Sequence, residues 1–349
     1  MNFSGENFYF LKKFRKNLPV FLLIIFTISA LASIFLLSEI KNFEQDILSF
    51  SLAQISVPVQ KQTEPIVLMF TGDVMLDRGV EWSINKYGGG NFKFPFLKIT
   101  EELNKADILF GNLESVISDK GQKVGSIYSF RTELGAMEGL TFAGFDVVSV
   151  ANNHIFDYSR AAMEDSFKRL KAAGIDYAGG GFNETEAHSP VIKEIDGTKI
   201  AFLTYTNLGF AHWVAGNTQS GITNLTTESL EEDIKETRKR ADLVIVSFHF
   251  GDEYQTKSNA NQQFWAHLAI DSGADLIIGH HPHVVQEIEN YKRKYIAYSL
   301  GNFIFDQGFS KETMEGLLLK VVVENAKIKE IIPIDIKINK FFQPEIGEE

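Results

Sequence analysis

From residue 66 onward, short apolar runs alternate with amphipathic stretches. The runs are IVLMF (66–70), ILF (108–110), VVSV (147–150), IAFLTY (200–205), LVIVSF (243–248), LIIG (276–279) and YIAYSL (295–300). Most are apolar at successive positions rather than at every second one, the pattern of strands buried on both faces. The stretches between several of them carry a helical period. RAAMEDSFKRLKAAG places Ala162, Phe167, Leu170 and Ala173 on one stripe and stops at Gly174, and TESLEEDIKETRKRAD and NQQFWAHLAIDSGAD read the same way. Such alternation predicts an α/β layered fold, in which functional residues gather at the carboxyl ends of strands. Near the C-terminus, 316–338 holds two strand-like runs around ENAK and predicts a hairpin that extends a sheet.

The first fifty residues carry a different pattern. LPVFLLIIFTISALASIFLL (18–37) is an uncharged apolar run of about the length that crosses a bilayer as a helix. Lys12, Lys13, Arg15 and Lys16 precede it, while Glu39, Glu44 and Asp46 follow with one lysine among them. That asymmetry predicts the N-terminus inside and the rest outside. ALA at 30–32 resembles a signal-peptidase site, but the apolar run continues beyond it, which favours an uncleaved anchor. From 42 to 65 the pattern is lost, and QISVPVQKQTEP reads as a stalk. The expected organisation is a basic cytoplasmic segment (1–17), a transmembrane anchor (18–37), a stalk (38–65), an extracytoplasmic domain (66–338) and an acidic tail (339–349).

Composition narrows the chemistry. A chain of 349 residues that is 44% hydrophobic and 23% charged is ordinary globular material. Its net charge of -11 argues against nucleic acid as a partner, because backbone binders need a clustered positive surface. The absence of cysteine excludes disulfides, thiolate zinc sites and cysteine nucleophiles. Any metal must therefore sit on His, Asp, Glu or Asn.

Polar clusters follow the apolar runs directly: TGDVMLDRG, GNLES, ANNHIFDYS, HFGDEY, HHPH and GNFIFDQ. They deliver Asp73, Asn112, Glu114, Asn153, His154, His249, Glu253, His281, His283, Asn302 and Asp306 toward one edge of the expected fold. Five of the eight histidines fall in these clusters, three of them in DLIIGHHPHVVQ. Imidazole with carboxylate or amide oxygens is the donor set of a borderline divalent ion. His281 and His283, two apart, would place both rings on one side of an extended segment stiffened by Pro282. Taken singly, Asp73 also fits a helix cap, Asn153 and His154 a turn and a core histidine, His249 a buried hydrogen-bonded histidine, and Arg131 a surface charge. Their joint occurrence at strand ends favours the metal reading. His188, His212 and His267 are isolated and read as structural or surface residues.

In this order and spacing, TGDVML, GNLES, ANNHIFDY, HFGDEY, GHHPHVVQ and YSLGNFIFDQ resemble the bacterial capsule-synthesis CapA family, associated with poly-γ-glutamate production, over about 66–307. The resemblance implies a fold related to the calcineurin-like metallophosphoesterases, a four-layered α/β/β/α sandwich, anchored in the membrane beside a polymer synthase. It implies Asp73, Glu114, Asn153, His249, His281 and His283 as metal ligands. His154, Glu253 and Arg131 become the catalytic candidates, with His154 as general acid or base and Arg131 facing an anionic substrate. Two positions depart from the superfamily pattern. Asp73 is followed by Val74 and Met75 where Asp-x-His is expected, and Asn112 stands where a bridging aspartate is expected, with the carboxylate at Glu114. A neutral amide screens two cations poorly. The expected cofactor is therefore a divalent Mn, Zn or Fe ion in one tight site, with any second site weak. Three functions stay open: synthesis, export or processing of an anionic capsular polymer; phosphoester, amide or ester hydrolysis of another envelope substrate; and a non-catalytic scaffold in a synthase complex. The expected partners are the membrane, through the N-terminal helix, a membrane-bound synthase, and an anionic polymer or small anionic substrate.

Overall fold

The computed structural model describes residues 6–55, 64–124 and 127–347, which fall into two units, Met1–Gln62 and Thr63–Glu349. The first contains one helix, α1 (Glu6–Ile55). Its stretch Arg15–Ser49 is long and apolar enough to cross a membrane, and the twenty residues of the apolar run rise about 30 Å, the thickness of a bilayer core. Leu22, Leu23, Phe26, Leu31 and Phe35 are all exposed in the protein itself. α1 runs on to Ile55, so the first part of the segment read as a stalk is helical. No glycine or proline interrupts the chain between 38 and 57 to stop it. Residues 56–63, the remainder of that stretch up to Thr63, lie outside the described residues.

Among the described residues of the second unit, fourteen strands build the two large sheets. The first sheet takes β1 (Ile66–Val74), β2 (Ile108–Leu113), β3 (Val147–Ser149) and β4 (Asp176–Ala178). The second takes β5 (Val191–Ile195), β6 (Thr198–Thr206), β7 (Leu243–His249), β8 (Leu276–His280), β9 (Ile288–Tyr291) and β10 (Lys294–Ala297). The chain then returns to the first sheet with β11 (Asn302–Ile304), β12 (Glu315–Glu324), β13 (Lys327–Ile338) and β14 (Pro344–Ile346). The spatial orders are β14-β13-β12-β1-β2-β3-β4, with β11 beside β1, and β9-β10-β8-β7-β6-β5. β1 to β4 pair in parallel, and so do β6, β7, β8 and β10. β12 and β13 form the hairpin expected around ENAK.

Three apolar layers separate four structural ones. Met69, Leu109 and Val148 point outward from the first sheet and pack with Val80 and Ile84 of α2 (Arg78–Tyr87), Leu140 of α3 (Ala136–Ala143) and Phe167 of α4 (Ser159–Ala172). Their neighbours Leu68, Phe70, Ile108 and Phe110 point the other way, against Phe202, Ile245 and Ile278 of the second sheet. On that sheet's far side, Leu203, Val244, Val246 and Ile277 meet Leu230 and Ile234 of α5 (Thr227–Arg238) and Ala266 and Ile270 of α6 (Ala260–Ser272). The result is an α/β/β/α sandwich, as the resemblance implied. Both faces of the central strands are covered, which is why their sequences read as continuous apolar runs.

The run expected as a strand over 295–300 stops at Ala297. Beyond it the chain leaves the second sheet and crosses to the first, passing so close to β8 that a Cβ on Gly279 would stand 1.9 Å from Tyr298 O. Hydrophobicity persists through the crossover because it is buried, with Tyr298 and Leu300 both inside.

Candidate metal centre

Four strands, two from each sheet, carry their carboxyl ends to one place. At the end of β1 the register against β2 shifts between Phe70 and Asp73, the kind of irregularity that re-aims a side chain. Gly72 permits it, since a Cβ there would stand 2.0 Å from Gly301 O, and the following amide, Asp73 N, donates to that same oxygen at 3.0 Å.

Asp73 is wholly buried. Its Oδ1 accepts from Asn112 Nδ2 at 2.8 Å and lies 3.4 Å from His280 Nδ1, while Oδ2 accepts the His281 amide at 3.2 Å and lies 3.4 Å from His283 Nδ1. Burial alone would raise its pKa, but His280 and His283 hold the carboxyl well below the usual range. Asn112, at the end of β2, is a hub: Nδ2 also lies 3.3 Å from Glu114 Oε2 and 3.2 Å from His249 Nδ1, and Oδ1 accepts from Asn152 Nδ2 at 3.2 Å. Glu114 is buried as deeply, with Oε1 3.6 Å from both His154 Nε2 and His283 Nε2. Its pKa is raised well above the ordinary value by burial, then by the charges of Asp73 and Glu253.

The second sheet supplies imidazoles. His249, the last residue of β7, sets Nε2 2.7 Å from Asn153 Oδ1. Burial, then the neighbouring His281, lowers its pKa well below the usual range. His281 is lowered to about 3 by burial, then by His283. Both rings are thus neutral, the form that binds metal. Asp73, Glu114 and His249 make one group of ligand atoms mutually within 4.8 Å, and Glu253, His281 and His283 make a second; the first is buried throughout and Glu253 is exposed.

These residues fit a divalent cation. Among the described residues, Glu114 Oε1, His281 Nδ1 and both ring nitrogens of His280 are buried without a hydrogen-bond partner. Each such atom costs about 1–3 kcal/mol when left unsatisfied. Glu114 Oε1 and His281 Nδ1 belong to the two candidate ligand groups, where a cation would accept their lone pairs.

Over residues 67–307 the chain matches the family described as bacterial capsule synthesis protein PGA_cap. It is 32% identical over 286 residues to the capsule biosynthesis protein CapA of Bacillus anthracis, spanning 79% of this chain and 69% of that one. Against the PGA biosynthesis protein CapA of Bacillus subtilis it is 30% identical over 302 residues, spanning 85% and 74%. The chain belongs to the bacterial capsule synthesis protein family. Among solved structures, a phosphatase from Mycoplasma pneumoniae superposes with a TM-score of 0.50 at 16% identity over 78% of this chain and 94% of its own, which shows a shared fold. The calcineurin-like phosphoesterase YfkN of Bacillus subtilis covers 78% and 90% at 14% identity and a TM-score of 0.45, too low to add weight.

In this capsule synthesis protein, the structure brings Asp73, Glu114, His249, His281, His283 and Glu253 together and sets Asn153 against His249. Asn152, one residue earlier, reaches Asn112 and also donates to Leu113 O at 2.8 Å. His281 and His283 do not lie on an extended segment. Their φ angles are +98° and +59°, so the turn around Pro282, not strand alternation, sets their rings 5.9 Å apart. His154 is held on three sides: Nδ1 lies 2.7 Å from Asp157 Oδ2, the ring stacks on Phe130 at 4.0 Å, and its amide donates to Asn152 Oδ1 at 3.0 Å. Arg131 is not in this cleft. Its amide donates to Asp77 Oδ2 at 2.7 Å, its guanidinium covers the Tyr158 ring at 4.3 Å, and it lines a separate hollow with Glu81 and Glu133. The arginine in the cleft is Arg78, paired with Asp306 and lying 4.5 Å over Phe130. The cleft holds about 700 Å³ and includes Arg78, Phe130, His154, Tyr254, His283 and Phe309 in its walls.

Sequence reasoning passed over His280, Asn152 and Arg78. His280 stood inside the quoted HHPH cluster, and Arg78 followed the first motif directly in LDRG.

Proposed function

We propose that this family member is anchored in the membrane by α1, with its sandwich domain outside, and that a divalent-metal site at the strand ends processes an anionic capsular polymer, poly-γ-glutamate, during its synthesis or export. The observation that carries the reading is the convergence of two ligand groups, with partnerless buried donors among them, which reach through Glu253 and His283 a cleft that also presents Arg78 and His154. The names of the Bacillus relatives support the polymer, and the exposed apolar face of α1 supports the anchor.

Asp73, Glu114 and His249 would hold one ion and Glu253, His281 and His283 a weaker second. A cation there supplies Lewis-acid polarisation of an amide, carboxylate or phosphate oxygen. The protein's own groups do the rest. Asp157 accepts from His154 Nδ1, which leaves Nε2, 3.6 Å from Glu114 Oε1, to take or give a proton. Arg78, steadied by Asp306 and the Phe130 face, offers a planar guanidinium to a carboxylate. Phe130, Tyr254 and Phe309 make part of the walls aromatic. The overall charge of -11 opposes a polyanion only at long range, since salt screens over roughly 8 Å.

Phosphoester hydrolysis is the second reading, favoured by the fold shared with the Mycoplasma phosphatase. Fold alone does not establish chemistry, and Met75 and Asn112 depart from the superfamily ligands. Deleting the gene and complementing it with the parent, Asp73→Asn or His283→Ala decides among the readings. Surface polymer of unchanged amount and length after deletion removes the capsule role. Full rescue by both variants makes the protein a scaffold. Rescue by the parent alone supports the metal-dependent role, and purified protein assayed with Mn²⁺ on γ-linked glutamate oligomers and on phosphoesters then separates the two substrates.

A further inference from the structure

The end of the sandwich opposite the metal centre holds a second hollow. Its walls come from the beginnings of β7, β8 and β10, whereas the metal ligands follow the ends of β7 and β8. It measures about 480 Å³ and is lined by Arg238, Arg293, Lys294 and Lys327 together with Asp242 and Asp275. Four cations face two carboxylates in a chain whose net charge is -11. The carboxylates are already engaged. Asp275 is buried, accepts from Val244 N at 2.9 Å and pairs with Arg238 and Lys294. Asp242 accepts from Lys199 N at 2.8 Å. Arg293 and Lys327 are exposed and have no carboxylate partner among the described residues.

Backbone geometry gives an independent reason to look here. The β9–β10 turn carries Lys292 and Arg293 at φ +50° and +64°, and the β12–β13 turn carries Asn325 and Ala326 at +51° and +57°. Tight turns with two left-handed residues favour Asn-Gly, because a long side chain gains nothing from the strained position. Asn325 follows that preference, but Lys292-Arg293 does not. Lys292 pairs with Asp271 at its outer side, leaving Arg293 to face the hollow from the second sheet while Lys327 faces it from the first. Tyr295 and Ile328 make part of the wall apolar, which matches carboxylates spaced by methylenes better than it matches a free phosphate.

We infer that this hollow binds the successive carboxylates of an extended polycarboxylate chain, as a tether separate from the metal cleft. The inference rests on the reading that the polymer is γ-linked polyglutamate, and its test is independent of turnover. The full chain in non-ionic detergent is titrated with a fluorescent γ-linked glutamate oligomer at low salt, followed by anisotropy, with inorganic phosphate and phosphatidylglycerol vesicles as competitors. Arg293→Glu with Lys327→Glu is expected to weaken the oligomer by about tenfold or more, because two attractive contacts become repulsive. Arg293→Gln with Lys327→Gln gives a smaller loss in the same direction, and Lys171→Glu, which reverses an exposed charge on α4 outside the hollow, stays within about twofold of the parent. Unchanged oligomer affinity in both double variants overturns the inference. So does displacement of the oligomer by phosphate or vesicles as readily as by unlabelled oligomer. If the charge-reversed protein loses the oligomer while gene deletion leaves cellular polymer unchanged, the hollow stands and the capsule role falls; oligomer binding that depends only on Asp73 has the opposite meaning.

Discussion

Replacing His281 by glycine separates what the metal centre costs the fold from what it contributes. His281 is buried, its Nδ1 has no partner among the described residues, and its backbone sits at φ +98°. Without a ligand, the partnerless nitrogen costs about 1–3 kcal/mol and the left-handed backbone about 1–3 kcal/mol. Glycine removes both. Against that stand the lost packing of the ring, 4.8 Å from His249 and 5.9 Å from His283, on the order of 1–2 kcal/mol, and glycine's extra unfolded-state entropy, about 0.5–1 kcal/mol. The midpoints leave a gain of about 2 kcal/mol, or roughly 4 °C for a domain of this size. In EDTA, His281→Gly should therefore unfold at the parent's temperature or a few degrees above it. With Mn²⁺ or Zn²⁺ at about a hundred times its dissociation constant, the parent gains about 2.7 kcal/mol and the variant far less. Thermal unfolding of the detergent-solubilised chain, followed by circular dichroism with and without EDTA, reads both effects. A metal-free variant destabilised by more than about 2 kcal/mol would show His281 to be an ordinary packed core residue, and a full metal response in the variant would show that it is not a ligand.

Phe110→Ala should cost about 3–5 kcal/mol and weaken metal binding as well, because Phe110 stacks on Phe202 at 5.6 Å and lies 6.3 Å from His280; destabilisation with unchanged metal affinity would uncouple core from site. Glu81 has its pKa raised to about 7 by burial, then by Glu133 and Asp77, so the stability it contributes is full below its unfolded value and is lost as pH rises through about 7. Glu81→Gln should match the parent near pH 4 and exceed it near pH 8 by at most about 1 kcal/mol, since solvent screens the group; denaturant titrations that show the gap widening toward acid would reverse the sign. Asp157→Asn should lower turnover by about 10²–10⁴-fold with metal content unchanged, because Asp157 holds His154 and the Phe130 amide and belongs to neither ligand group; elemental analysis beside the rate distinguishes this from a collapsed site. Arg78→Ala should raise KM for an anionic substrate while Arg131→Ala leaves it near the parent's value, and equal effects would remove the assignment of Arg78 to the cleft.

The sandwich was legible because its pattern survives averaging. β1, β2, β7 and β8 are each covered on both faces, so apolar residues at successive positions marked them. The helices between several of them marked an α/β layering, and the structure adds that these strands pair in parallel. Where the reading overshot, at 298–300, the cause was burial outside a strand: Tyr298 and Leu300 are as apolar as ladder residues but belong to the crossover between sheets. The helical content of 42–55 was missed for the opposite reason. Phe43, Ile47 and Phe50 do recur at helical spacing there, but polar neighbours and the nearby prolines outweighed them, and the helix continues because no glycine or proline stops it.

The candidate ligands were legible because each directly follows an apolar run, but which neighbour of each motif reaches the centre depends on backbone that sequence spacing does not reveal. Strand alternation would have grouped His281 with His283 on an extended segment; two left-handed residues instead place them, and only a tertiary constraint holds such a turn. Asn152 and Asn153 diverge in the same way, one to Asn112 and the other to His249. The choice of Arg131 over Arg78 failed because charge was read without its surroundings. Arg78 is singled out by Asp306, 228 residues further along the chain, and by the Phe130 ring beneath it. Asp73 and Glu114 come from the first sheet and His249 from the second, so that ligand group exists only when the sheets are packed through Phe70, Phe110 and Phe202. The strain in the HHPH turn and the partnerless donors around it are supported by that shared core, which makes the inter-sheet aromatics as necessary to the centre as the ligands themselves.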